Sequence, residues 1–119
     1  MSTSKKRTNN YNAEGYWEHY FPNGRLFPND GLLSKGRLLS YGNYINGKKE
    51  GLWEEYYSNG QLFCKGNYIN GEYEGWWEIY YDNGLFHYKG NCVNGNPYGK
   101  WEEYNEEGNL IKEIFYVNI

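Results

Sequence analysis

The chain has 119 residues, 21% of them aromatic (15 Tyr, 5 Trp and 5 Phe), and 16 Gly; this excludes both a helical bundle, which needs Leu- and Ala-rich periodic stretches, and a disordered chain, which lacks large buried rings. Its formal net charge of -3 gives no generic attraction to nucleic acid or anionic lipid, so neither is expected as a partner. A mean hydropathy of -1.00 without a long apolar run leaves no membrane span, and points to one thin, surface-rich β domain.

Residues 1–10 are polar and read as a flexible tail. Lys5, Lys6 and Arg7 are followed by no apolar stretch, so no secretory signal is read there. With only two cysteines, Cys64 and Cys92, the expectation is a reduced, cytoplasmic protein.

Residues 11–119 read as a repeat domain. Gly51-Leu-Trp-Glu-Glu-Tyr-Tyr-Ser-Asn-Gly60 aligns with Gly75-Trp-Trp-Glu-Ile-Tyr-Tyr-Asp-Asn-Gly84 and Gly99-Lys-Trp-Glu-Glu-Tyr-Asn-Glu-Glu-Gly108, each offset by 24 residues. The second half repeats too: Tyr41-Gly-Asn-Tyr-Ile-Asn-Gly47, Lys65-Gly-Asn-Tyr-Ile-Asn-Gly71 and Lys89-Gly-Asn-Cys-Val-Asn-Gly95. An earlier copy starts at Gly15, 36 residues before Gly51, so its unit carries 12 extra residues. The units therefore run near 15–50 with an insertion at 27–36, then 51–74, 75–98 and 99–119. Pro28 and Asn29-Asp30-Gly31 in the insertion suggest an irregular loop or an extra short strand. In the last unit Ile114 replaces the glycine of Gly42, Gly66 and Gly90, as befits a cap on a stack of repeats.

Each unit holds two strand-length runs separated by Asn-Gly or an equivalent. Such turns fall at Asn23-Gly24, Lys35-Gly36, Asn46-Gly47, Asn59-Gly60, Asn70-Gly71, Asn83-Gly84, Asn94-Gly95 and Glu107-Gly108. Asn-Gly signals a type I′ turn, because both central residues need positive φ. The expected fold is all-β, a single-layer twisted antiparallel meander of repeated hairpins with about 8–10 strands.

Alternation assigns the columns to faces. Trp17, Trp53, Trp77 and Trp101 share one face, with His19, Glu55, Ile79 and Glu103 two residues on. The other face carries Glu18, Glu54, Glu78 and Glu102, then Tyr20, Tyr56, Tyr80 and Tyr104. In the second strands Leu38, Leu62, Phe86 and Leu110 are expected on the same face as Tyr44, Tyr68, Cys92 and Tyr116. Without a covering helix, these rings must bury one another sideways, with Gly42, Gly66 and Gly90 letting a ring lie flat on the backbone. Like charges in the Glu column repel, so two readings stand. The carboxylates accept bonds from Tyr hydroxyls or backbone on a wet face, or they form an acidic-aromatic stripe for a basic partner. The candidate interaction residues are Trp17, Glu18, Tyr20, Trp53, Glu54, Tyr56, Trp76, Trp77, Glu78, Tyr80, Trp101, Glu102 and Tyr104. No catalytic or metal site and no cofactor is expected: His19 and His87 lie far apart in register, adjacent carboxylates face opposite ways, and no phosphate loop or nucleophile elbow is present.

The unit Gly-x-Trp-x-x-Tyr-Tyr-x-Asn-Gly-x-Leu-x-x-x-Gly-x-Tyr-x-Asn-Gly, clearest at Gly51–Gly71 and Gly75–Gly95, resembles the MORN-repeat variant of bacterial and phage proteins, antitoxin-type proteins among them. The resemblance covers roughly Gly15–Ile119 and implies a hairpin sheet serving protein–protein interaction, in some members neutralising a toxin. The expectation is a non-enzymatic binding module, an inhibitor or antitoxin-like factor with a protein partner. Two alternatives stay open: sequestration of a small, nucleotide-like ligand between rings, and an architectural module that forms homo-oligomers through its edge strands.

Overall fold

The Asn-Gly steps punctuate the chain in two ways. Asn46-Gly47, Asn70-Gly71 and Asn94-Gly95 have positive φ at both residues (52° and 79°, 54° and 83°, 51° and 85°), the requirement of the two-residue type I′ hairpin. Asn59 and Asn83 depart from that expectation: only Gly60, Gly84 and Gly108 are positive in their turns, at 90°, 90° and 92°. These are longer loops, closed by Tyr57 N–H to Gln61 O at 2.8 Å and Gly60 N–H to Tyr57 O at 2.9 Å. The Asn59 side chain is freed for other bonds. Its Oδ1 accepts from Gln61 N–H at 2.9 Å, and its Nδ2 donates to Asp82 O of the next hairpin at 2.8 Å. Asn83 repeats this toward Leu85 and Glu106.

The structure is a computed structural model and describes residues 3–4, 13–21, 26–27, 32–33 and 38–117. The strands are β1 (Thr3–Ser4), β2 (Gly15–Tyr20), β3 (Leu26–Phe27), β4 (Leu32–Leu33), β5 (Leu38–Ile45), β6 (Lys48–Tyr56), β7 (Leu62–Ile69), β8 (Glu72–Tyr80), β9 (Phe86–Val93), β10 (Asn96–Tyr104) and β11 (Leu110–Tyr116). β1, β2 and β5 to β11 follow one another in one open antiparallel sheet, the expected meander, with a smallest dimension of 17 Å. Among the described residues β3 and β4 pair with each other as a separate two-stranded sheet that includes part of the insertion, and β2 pairs directly with β5. Within the expected tail, Thr3–Ser4 pairs with Tyr20 and His19. The rest of that tail and the turns at Asn23-Gly24 and Lys35-Gly36 lie outside the described residues.

One face assignment is corrected. Each hairpin's register slips at its far end, as between Glu55 and Tyr56, where Tyr56 faces Leu62 while Glu55 faces Cys64. The extra residue is a β-bulge, and it reverses the alternation beyond it. Phe86 accordingly stacks on Tyr80 at 4.8 Å and lies 6.1 Å from Tyr104, on the Glu face, away from Cys92. Leu38, Leu62 and Leu110 hold the same register against Tyr20, Tyr56 and Tyr104.

Cohesion comes from indoles laid across glycines. A Cβ built on Gly42, Gly66 or Gly90 would stand 2.3, 2.2 or 2.4 Å from a carbon of Trp53, Trp77 or Trp101. Each indole N–H then reaches the backbone of the preceding hairpin: Trp53 to Asn43 O at 3.0 Å, Trp77 to Asn67 O at 3.1 Å and Trp101 to Asn91 O at 2.8 Å. Edge-on tyrosines fill the gaps, with Tyr44 5.0 Å from Trp53 and Tyr68 5.2 Å from Trp77. The fold thus replaces a globular core with a continuous seam of rings.

Candidate functional site

The two faces differ chemically. On the indole face, Trp17, Trp53, Trp77 and Trp101 are 0, 1, 4 and 8% exposed and form a fixed floor. Over β6 to β11 this floor opens into a trough of about 390 Å³, bordered by Phe63, Tyr68, Tyr73, Trp77, Ile79, Tyr88, Pro97, Trp101 and Tyr116, with Cys64 and Cys92 at its base and Glu55 as its one carboxylate. The bulge after Glu55 brings Phe63 onto this face beside Cys64, with its ring 5.0 Å from Tyr57. Burial pushes the Cys64 thiol up to about 12, so it is an inert apolar group at neutral pH. Among the described residues, no group of three or more His, Cys, Asp or Glu converges as a metal site would require.

The opposite face is a ladder of carboxylates, phenols and ammonium groups. Across the strands the register runs Glu18, Tyr41, Glu54, Lys65, Glu78, Lys89, Glu102. The carboxylates are therefore separated by an intervening strand, about 9–10 Å for two strand spacings. Each also accepts a bond from the tyrosine two residues on: Tyr20 to Glu18, Tyr56 to Glu54, Tyr80 to Glu78 at 2.6 Å and Tyr104 to Glu102 at 2.9 Å. Burial pulls the Glu78 carboxyl upward, but Tyr80, Trp76 and Lys65 outweigh it and hold the group below its ordinary value. The Glu18 bond and burial push the Tyr20 phenol up to about 12. Lys89 caps the Phe86 ring at 4.4 Å and the Tyr104 ring at 5.3 Å.

A family model described as the MORN repeat variant matches residues 49–70 and 97–118, the β6–β7 and β10–β11 hairpins. Over these two hairpins the chain is similar to the MORN repeat variant. No curated protein matches it significantly. Between the two matched MORN units, β8–β9 repeats their register, with Trp77 against Gly90 where Trp53 faces Gly66. MORN repeats generally serve as protein- or membrane-binding modules.

The strands divide the expected interaction residues between faces. Glu18, Tyr20, Glu54, Tyr56, Trp76, Glu78, Tyr80, Glu102 and Tyr104 lie on the ladder, where Trp76 is 46% exposed and donates its N–H to Glu78 at 3.0 Å. Trp17, Trp53, Trp77 and Trp101 lie on the other side, buried as the floor of the indole face. The trough itself was not visible as a site in the sequence. It requires Phe63, displaced by a bulge, and Tyr73 and Pro97, which stand where the first MORN unit has Lys49. That column of unlike residues was the one available signal.

Proposed function

We propose that this chain is a non-enzymatic protein-binding module that receives a segment of a partner protein in the trough, acting on that partner as an inhibitor or antitoxin-like factor. The observation that carries this reading is the open, ring-lined trough of about 390 Å³ over a buried indole floor. Tyr and Trp dominate binding hot spots because they offer large area with few torsions to freeze, and a rigid floor lowers the ordering cost of association. On the ladder, most charges and hydroxyls already have internal partners, so docking there would have to break bonds the sheet has made.

The test is quantitative co-purification of proteins with the tagged chain, comparing Tyr73→Ser and Tyr116→Ser in the trough with Trp76→Ser and Tyr98→Ser on the ladder face, where both residues pair with Asn91. Loss of the captured partner in the first pair alone is expected. Equal behaviour of the two pairs overturns the reading. A nucleotide that raises the melting temperature of the parent chain, but not of the trough variants, would favour ligand sequestration instead.

A further inference from the structure

The 24-residue period lets one unit serve as a template for another. In the β6–β7 hairpin, Lys49 Nζ lies 4.7 Å from the Trp53 ring centre, 5.1 Å from that of Tyr68 and 3.6 Å from the Glu55 carboxylate. Two π-faces and a carboxylate around one ammonium form a complete cation site. The corresponding positions in β8–β9 are Tyr73, Trp77, Cys92 and Ile79. There Tyr73 packs edge-on to Trp77 at 4.9 Å, and the carboxylate is gone. At these positions that unit carries neither an ammonium nor a carboxylate.

In β10–β11 the same positions are Pro97, Trp101, Tyr116 and Glu103. The two rings and the carboxylate return, and a proline replaces the lysine. Gly99 faces Tyr116 as Gly51 faces Tyr68, so the register is unchanged. Pro97, Trp101 and Tyr116 all border the trough, and Tyr116 is 39% exposed. Tyr88, opposite Glu103 across β9–β10, also borders the trough, and its phenol bonds the Glu103 carboxylate. Lys112 is the neighbour of Glu103 on β11. Yet the ion pairs among the described residues join Lys49 to Glu55, Lys65 to Glu78 and Lys100 to Glu102 and Glu113, with Glu103 in none.

We infer that the Trp101–Tyr116 corner of the trough, with Glu103 two residues along β10 from Trp101 and outside the lining, is a receptor for a lysine side chain of the partner segment, taking the ammonium where the first unit holds that of Lys49. The inference rests on the trough being the partner site. An ammonium is favoured because that is the cation the template accommodates, and Pro97 supplies no ammonium of its own to the corner.

The experiment titrates the full chain with Nα-acetyl-lysine N-methylamide and with its uncharged isostere, Nα-acetyl-norleucine N-methylamide, following the five indole N–H resonances by NMR. The lysine probe is expected to move the Trp101 signal and to bind about two- to fivefold more tightly than the isostere, the range of an exposed cation–π contact. Glu103→Gln should reduce that preference, and Pro97→Lys, which restores an internal ammonium, should abolish it. The other indole signals report that each variant is folded. Equal binding of the two probes, a response confined to Trp76, or a preference that survives Pro97→Lys overturns the inference. If the preference is absent while Tyr73→Ser and Tyr116→Ser still lose the partner, the cation corner fails and the trough stands. If the preference is present and those variants keep the partner, the corner takes an ammonium but not that of the partner segment, and the trough reading and the assignment of a partner lysine both fall.

Discussion

Substituting Gly66 by alanine tests the seam of rings directly. The new Cβ would stand 2.2 Å from Trp77 Cδ2 and 2.3 Å from Cε2, against the roughly 3.5 Å at which carbon atoms pack, so the indole must move by about 1.3 Å. These are carbons at the rigid centre of the ring, on a side chain only 4% exposed. Forcing the ring aside carries an overpacking cost of about 1–3 kcal/mol. The Trp77 N–H bond to Asn67 O, now 3.1 Å, stretches and loses about 1 kcal/mol more. The stiffer unfolded chain returns about 0.4–1 kcal/mol. A net destabilisation of about 2 kcal/mol is expected, read as a lower urea midpoint at unchanged slope. The same substitution in a Trp77→Phe background should cost clearly less, because the smaller ring leaves the Cβ room. A Gly66→Ala loss below about 0.5 kcal/mol, or an equal loss in both backgrounds, would refute the reasoning.

The two turn classes predict opposite responses to glycine. Asn70 has φ 54°, so Asn70→Ala should lose about 1 kcal/mol while Asn70→Gly stays near neutral. Asn59→Gly should lose about 1 kcal/mol, because the Asn59 side chain bonds both Gln61 and Asp82. Thermal denaturation checks this order, and a harmless Asn59→Gly would contradict it. The Glu78 carboxyl titrates below its ordinary value of 4.5 in the folded chain. Its stabilising contribution is therefore complete above that value and fades as the pH falls through the lower folded one. In urea melts taken from pH 6 down to pH 3, Glu78→Gln should be less stable at pH 6 and converge on the parent as the pH falls. A constant gap between the two would rule out this carboxylate as the source.

The repeat period, the Asn-Gly turns at Asn46, Asn70 and Asn94, and the role of Gly42, Gly66 and Gly90 were all legible, because each depends on a backbone requirement or a steric gap that a short stretch of residues specifies. The tyrosine bonds to the Glu column were legible as one of two readings, since a residue and its neighbour two positions on share a face of a strand. The face of Phe86 was not, and neither was the conformation at Asn59 and Asn83. Both depend on how many residues the opposing strand presents, and alternation counted along a single strand does not contain that number.

By itself, then, the sequence determined an antiparallel array of hairpins with indoles seated on glycines. Only the tertiary structure decided that Glu54, Glu78 and Glu102 are spaced apart by Lys65 and Lys89, that the four aligned tryptophans form a floor, and that Phe63, Tyr73, Pro97 and Tyr116 enclose one trough. The physical reason is that strand pairing and bulges set these neighbours. They join residues from successive hairpins, and each added residue in a bulge turns the following side chains to the other face.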